Sequence, residues 1–408
     1  MIRWIRDRLG TAPYDTLSPG DWHVLDVRHL VDQGGNTRES IRRVVAEGAE
    51  KFREGARLVV ACDLGISRSN AIAAGIISEL EGIPYDRALA EVLDRTNEHE
   101  LKLDLVNSVR LALSAGDPAL DRNAILVTGA SGFLGSNVIA RLSGQCTVLG
   151  PSRAELDLAT GAVALGEYCR RHEVRQILHL AYPQHYTNAA AMGSSLVMLR
   201  TVLEVCRTYG LKLTFVSSTV LYSGYATIAL IADEITPMRP AGVYAEAKYL
   251  EEQLVDLYFR RGEIERTVCR LSPVYGPRGN RPRFIRTFYE ATRRGQVIRT
   301  HRYRNGRPAL DLLYVSDAAE ALALAVSHPP SDVFHIGSGR LSSTADCATL
   351  IGRIAGVATR VEEVEIDRPI GNIAFAAEKA KATLGWSPSI RLEEGLSLTI
   401  KSYGVPTT

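Results

Sequence analysis

Cys62 and Arg68 frame the segment Cys62-Asp-Leu-Gly-Ile-Ser-Arg68-Ser69, which follows directly on the apolar run Leu58-Val-Val-Ala61. A thiol so placed ends a buried strand and lies on a loop that enters a helix N-terminus. Backbone N–H groups there favour an anion, and the helix dipole together with Arg68 favours the thiolate. Gly65 permits the tight path of the loop. Arg68 can grip two phosphate oxygens, and Ser69 can donate to the sulfur as it leaves a phospho-cysteine intermediate. These residue types suit displacement at a phosphate monoester.

A second set lies further along. Ala124-Ile-Leu-Val-Thr-Gly-Ala-Ser-Gly-Phe-Leu-Gly135 places three glycines at equal spacing between an apolar strand and a helix that starts near Phe133. Gly129 allows the tight turn, Gly132 lets backbone approach a pyrophosphate, and Gly135 allows close helix packing. The next strand ends Val148-Leu-Gly-Pro-Ser-Arg153 without a carboxylate at its tip. Ser152 and Arg153 suit a 2′-phosphate, so NADP is the expected cofactor; nearby Glu155 leaves NAD open. Tyr244 and Lys248 are four residues apart, which on a helix puts phenol and ammonium on one face. A lysine cation there lowers the phenol pKa, so that Tyr244 can exchange a proton with a carbinol or carbonyl oxygen oriented by Ser218. His179 reads as a strand-end residue. The six cysteines show no CxxC spacing, and no metal site is expected.

Strands must hold these groups, and the pattern supplies them. Before residue 114, apolar runs at 23–27 and 57–61 alternate with helical stretches at 37–54 and 68–81. After it, candidate strands fall at 124–128, 146–150, 176–180, 213–217 and 266–271, with helices between. Turn-rich Ser114–Arg122 separates the two series. The reading is α/β throughout: a small domain over 1–115, a linker at 116–122, and a doubly wound parallel sheet over 123–408. The 408 residues, 46% hydrophobic and 23% charged, exclude wholesale disorder. No apolar run approaches the roughly 18 residues that span a bilayer, and the charged first twenty residues lack a signal-peptide core, so a cytoplasmic protein is expected. Net charge is −4 to Pro118 and +6 beyond. Within the second part, Arg278–Arg307 holds ten arginines and one acid. Such a run is either a solvated face or a phosphate-recognising one, arginine favouring the latter; nothing accompanies it that suggests nucleic acid.

The Cys62–Ser69 loop, with Gly82–Arg95 after it, resembles the signature of cysteine-dependent dual-specificity phosphatases. That resemblance implies Cys62 as nucleophile, Arg68 as phosphate clamp, Ser69 as thiolate helper and an upstream aspartate as general acid. Asp32, beside Gly34-Gly35, fits best, with Asp26 second. Ala61 stands where that family has His.

Residues 123–405 resemble extended short-chain dehydrogenases/reductases of the NAD-dependent epimerase/dehydratase family. The match is carried by the glycine loop, Val216-Ser-Ser-Thr-Val-Leu-Tyr222, Tyr244–Lys248, Arg270-Leu-Ser-Pro-Val-Tyr-Gly-Pro277, Asp311–Glu320, Phe334–Gly339 and Ala380–Pro388. This resemblance implies a Rossmann fold with a small C-terminal substrate-binding region, and a nucleotide-sugar substrate. It implies catalysis by Ser218, Tyr244 and Lys248. Ser131, Phe133, Leu134, Asp157, Leu158, Ala181 and Pro273 join the glycines as expected cofactor contacts, and Thr219, Arg278 and Arg307 as substrate contacts. Thr219-Val220 stand where 4,6-dehydratases have Asp-Glu, which argues against that reaction. The expectation is a bifunctional homodimer: a sugar epimerase or reductase fused to a phosphate-monoester hydrolase. The alternative makes the N-terminal part a non-catalytic phosphate-binding module.

Overall fold

The computed structural model describes residues 2–32, 36–98, 101–113, 124–183, 188–279, 281–329 and 332–403. The expected linker and Gly34-Gly35 lie outside them. In the N-terminal part, β1 (Arg3–Arg6), β2 (Leu9–Pro13) and β3 (His23–Asp26) precede α1 (Arg38–Arg53), β4 (Leu58–Cys62), α2 (Ser67–Glu81), α3 (Tyr85–Thr96) and α4 (Leu103–Leu113). The sheet order is β1-β2-β4-β3, with β4 parallel to both neighbours and β1 antiparallel to β2. All five residues of β4 are buried, which explains its unbroken apolar run, since a central parallel strand is covered on both faces. Helix α1 starts where the Thr37 hydroxyl accepts from the Ser40 N–H at 3.1 Å, and α2 stops at Gly82 in the left-handed conformation. The β1–β2 hairpin was not foreseen, because its charges, glycine and proline give no strand periodicity.

The second series opens with β5 (Ala124–Thr128), α5 (Phe133–Leu142), β6 (Val148–Leu149), α6 (Ala162–Arg171), β7 (Val174–His179), α7 (Ala189–Tyr209) and β8 (Lys212–Ser218). It continues through β9 (Leu230–Ala232), α8 (Val243–Arg260), β10 (Arg266–Leu271), β11 (Val274–Tyr275), α9 (Arg283–Arg293), β12 (Ile298–Tyr303), β13 (Ala309–Asp311) and β14 (Leu313–Tyr314). Then come α10 (Val315–Ser327), β15 (Val333–Ile336), β16 (Leu341–Ser343), α11 (Thr344–Ala355), β17 (Val361–Ile366), β18 (Ile373–Phe375), α12 (Glu378–Leu384) and α13 (Leu392–Ser402). Six strands form one parallel sheet in the order β15-β10-β8-β7-β5-β6. The chain reverses direction across the sheet between β5 and β7, the switch point where doubly wound folds bind ligands. Ile125, Val127, Leu178, Leu271, Leu322, Phe334 and Trp386 fill the core beneath it. A smaller C-terminal cluster joins α9, α11 and α13 through Ile285, Phe288, Ile351 and Leu396.

By packing, the chain forms two compact units. The first takes Met1–Asn123 with Leu156–Val174 and Arg200–Gly210; the second takes the rest. Inside the first, Asp86 of α3 pairs with Arg110 of α4 and with Arg170 of α6. The Tyr209 hydroxyl donates to Asn107 at 3.0 Å, and Arg207 pairs with Asp104 at 3.0 Å. These partners lie far apart in sequence, so no local pattern announces them.

Helix α7 corrects the expectation on apolar runs: it is long and apolar enough, by length and composition, to cross a bilayer. It nevertheless carries the Arg200–Glu204 pair and buries Leu199, Val202, Leu203, Val205 and Cys206, as a core helix does.

Candidate active site

Strand β5 delivers the chain into the glycine loop, and the three glycines have separate reasons to be there. Gly129 has φ +72°, and a Cβ on it would stand 2.8 Å from the Ala181 nitrogen. On Gly135 a Cβ would meet the Gly129 carbonyl at 2.2 Å, while Gly132 has room only for a tight 3.1 Å contact. Gly132 also precedes α5 with no side chain capping it, so the helix offers bare N–H groups where a pyrophosphate would lie. Phe133 and Leu134 open α5, and Ser131 is exposed in the turn before it. Thr128 ties the floor together. Its hydroxyl meets His179 Nδ1 at 2.9 Å and accepts from the Leu180 and Ala181 N–H groups at 3.1 and 3.2 Å. Burial holds His179 down to about 3, with the Lys248 charge adding to it, so the imidazole is neutral and serves as a strand-end anchor. These residues fit a dinucleotide: the cradle has no room for Cβ atoms, and the helix terminus lacks its own cap.

Beyond the end of β6, Ser152 and Arg153 are exposed, and the Glu155 carboxylate accepts from the Ser152 N–H at 2.7 Å. That hydrogen bond and the Ser152 hydroxyl hold the carboxyl below its usual range. Asp157 and Leu158 belong to the first compact unit, where Asp157 caps a short 3-10 turn and Leu158 is buried.

The catalytic candidates converge between β8 and α8. Ser218 ends β8 and caps the turn Thr219–Tyr222, its hydroxyl 3.4 Å from the Val220 N–H; buried Thr219 follows it. The Tyr244 phenol hydrogen-bonds the Ser218 side chain. Tyr244 also lines a pocket of about 260 Å³ with Val220, Ser223, Ala241, Gly242, Val243 and Ala245. One turn on, Lys248 donates to the Val216 carbonyl at 3.2 Å and pairs with Glu251 at 2.9 Å. Its ammonium faces the rings of Tyr182 and Phe215 at 4.6 and 4.9 Å, and Tyr182 meets Tyr244 edge-on at 5.3 Å. The lowering expected from Lys248 does not prevail, and the phenol lies above its ordinary value. Burial and then the Glu251 charge push Tyr244 up to about 12, against the Ser218 hydrogen bond.

Five of the ten arginines of the run stand in ion pairs, Arg286 with Glu290 among them. Arg299, Arg302, Arg304 and Arg307 face Glu362, Glu363, Glu365 and Asp367 on and beyond β17, with Arg307 Nε 2.5 Å from Glu363. Exposed Arg278 has φ +66°, a conformation rare for a side-chain-bearing residue. Pro273 accepts from the Leu313 N–H at 3.0 Å. Glu251 and Tyr182 escaped the sequence reading. Spacing of three from Lys248 was the available signal for Glu251; Tyr182 had none.

In the first unit, Cys62 Sγ accepts from the Gly65 N–H at 3.2 Å and lies 3.5 Å from the Ser69 hydroxyl. Gly65 is left-handed, and a Cβ there would press on Ala12 and Pro13 backbone at 2.4 Å. Arg68 donates to the Arg28 and Leu30 carbonyls at 3.0 and 3.1 Å, pairs with Asp63, and stands 3.4 Å from Asp32. The structure therefore gathers Cys62, Arg68, Ser69 and Asp32, but the guanidinium expected to clamp phosphate is held by internal partners. Asp26 is engaged with Arg28 at 2.8 Å.

The family described as "NAD dependent epimerase/dehydratase family" matches residues 125–337. A putative UDP-glucose 4-epimerase of Methanocaldococcus jannaschii is 27% identical over 68% of this chain and 97% of its own. The UDP-glucuronic acid decarboxylase 1 of Xenopus tropicalis is 25% identical over 69% of this chain and 72% of its own. Among solved structures, a UDP-glucose 4-epimerase from Thermotoga maritima with UDP-glucose is 26% identical with a TM-score of 0.60, covering 69% of this chain and 98% of that one. An NAD complex of the Thermus thermophilus UDP-glucose 4-epimerase shares the fold at 24% identity, over 69% of this chain and 98% of its own, also with a TM-score of 0.60. Because the family match runs from the first strand of the sheet to Gly337, through every element that positions Tyr244, this chain belongs to the NAD dependent epimerase/dehydratase family.

Proposed function

We propose that the chain interconverts a hydroxyl and a carbonyl on a nucleotide-linked sugar, as an epimerase or reductase. The observation that carries this reading is the Ser218–Tyr244 hydrogen bond beside a hollow of about 260 Å³, with Lys248 one helical turn away. A bound nicotinamide dinucleotide supplies hydride exchange there. The chain's own part is to orient the sugar oxygen with Ser218 and to move its proton at the Tyr244 phenol. Gly129, Gly132 and Gly135 admit the pyrophosphate, and Thr128 fixes the loops around it. The UDP-sugar names of the relatives favour a uridine diphosphate sugar, and Arg278 is a candidate contact for its phosphates.

For the cofactor we infer NAD, because the Glu155 carboxylate at the β6 tip suits a ribose hydroxyl and opposes a second phosphate. NADP is the second reading, favoured by exposed Arg153. Denaturing the purified protein and identifying the released nucleotide tests both. Stoichiometric NAD is the expected result and favours an epimerase, which reoxidises its own cofactor. An empty site that takes NADPH in preference to NADH reverses the inference and favours a reductase.

A second site is proposed at Cys62, where the Gly65 N–H and Ser69 hydroxyl both face the sulfur. Its reading is hydrolysis of a phosphate monoester with Asp32 as general acid. Phosphate release from an aryl phosphate is then expected to vanish in Cys62→Ser. Phosphate binding without release, in the unaltered protein, instead supports a non-catalytic module. In either reading an incoming phosphate must displace the Arg68 pairs with Asp63 and Asp32.

A further inference from the structure

Tyr182 belongs to no motif, yet its ring meets both Tyr244 and Lys248. It follows Leu180 and Ala181 in the segment after β7, and the Thr128 hydroxyl accepts from the N–H groups of those two residues at 3.1 and 3.2 Å. A Cβ on Gly129 would stand 2.8 Å from the Ala181 nitrogen, so this segment and the glycine loop touch along their backbones. The base of Tyr182 is thereby fixed to the dinucleotide cradle. Its ring reaches the other way, to α8. The Lys248 ammonium lies over the ring face, 4.6 Å from the centroid, and the Tyr244 ring stands edge-on at 5.3 Å with the planes at 85°. Both arrangements are attractive, since a ring face is negative and a ring edge positive.

Lys248 is 7% exposed, so its charge depends on protein partners. They are the Val216 carbonyl, Glu251 and the rings of Tyr182 and Phe215. Phe215 also meets the ammonium, but among the described contacts Tyr182 is the ring that meets Tyr244 as well. A helix fixes the spacing of Tyr244 and Lys248 along its own axis. It does not fix how far that pair stands from the cradle on β5, and another element must do so.

We propose that Tyr182 is a positioning residue of the redox site. Tied by its backbone to the cradle and by its ring to Tyr244 and Lys248, it sets the proton-transfer pair in register with the bound dinucleotide. The inference rests on Tyr244 being the proton-transfer group proposed above. Tyr182 acts through that group, so its loss lowers rate and spares affinity. A displacement of about 1 Å at reacting groups is enough to cost about 10²-fold.

Two measurements test it. With ring-protonated tyrosine in an otherwise deuterated protein, the Tyr182 and Tyr244 signals are assigned by their loss in Tyr182→Phe and Tyr244→Phe. Direct magnetisation transfer between the two rings is expected in the unaltered protein; its absence overturns the proposal. In kinetics, Tyr182→Leu removes both ring contacts and is expected to lower kcat about 10–100-fold, with KM for a UDP-sugar within about threefold. Tyr182→Phe keeps the ring and is expected to recover kcat to within about threefold of the unaltered protein. Adding Tyr182→Leu to Tyr244→Phe is expected to cost no more than about threefold further, because both changes act on one group. Unchanged kcat in Tyr182→Leu, a loss confined to KM, or Tyr182→Phe as slow as Tyr182→Leu each overturns the proposal. So does a further loss of about tenfold or more in the double variant. Turnover that persists in Tyr244→Phe is a different failure: it removes Tyr244 from the mechanism and this role of Tyr182 with it, whereas the other outcomes leave Tyr244 in place.

Discussion

Tyr244→Phe is expected to lower hydroxyl–carbonyl interconversion of a UDP-sugar by about 10²–10⁴-fold, the range set by losing a positioned acid–base group. The ring should keep its place. It meets Tyr182 edge-on at 5.3 Å, a contact phenylalanine preserves, so the loss should appear in kcat with little change in KM or in the melting transition. What disappears is the hydroxyl that Ser218 orients. Reduced-nicotinamide absorbance under single-turnover conditions with a UDP-sugar reads the effect without product release. Activity within about tenfold of the unaltered protein would remove Tyr244 from the mechanism. If the two candidate sites act independently, phosphate release by the Cys62 site is unchanged in the same variant; loss of both activities in a folded protein contradicts that independence.

The sites differ in how much of them the sequence could disclose. Gly129, Gly132 and Gly135 were legible because each is fixed by backbone geometry that leaves a spacing behind. Tyr244 and Lys248 were legible because four residues is one helical turn. The net direction of the shift on the Tyr244 phenol was not, since it depends on burial and on which of Glu251 and Glu252 faces the site. Adjacent helix positions are about 100° apart, and only packing against β8 and β10 decides the direction of each. The arginine run was legible only in part. Its density suggested phosphate, whereas Arg299, Arg302, Arg304 and Arg307 are answered by acids on and just after β17, about sixty residues later. At Cys62, the loop and its glycine were readable, but the hold of Asp63 and Asp32 on Arg68 was not.

Removing the charge at Arg270 is expected to be the most destabilising single change near the redox site. Arg270 lies on β10 between β15 and β8, buried, and bonds both oxygens of Glu252 as well as the Tyr222 hydroxyl at 2.8 Å. Tyr222 closes the turn that begins at Ser218 and faces His335 Nε2 at 3.1 Å. His335 is neutral, lowered to about 3 chiefly by burial, and its Nδ1–H donates to the Ala232 carbonyl at 2.9 Å. Arg270→Met leaves Glu252 buried without its partner, which costs about 3–5 kcal/mol, or roughly 6–20 °C in the melting transition of the second unit. The double variant Arg270→Met with Glu252→Leu strands neither charge and is expected to recover most of that loss, because desolvating an ion pair offsets much of its attraction. Thermal unfolding of the two single variants and the double completes the cycle. If the double variant melts as low as the sum of the singles, the pair is not coupled. The turn carrying Ser218 would then owe its position to Tyr222 packing against Phe375, and not to the buried charges.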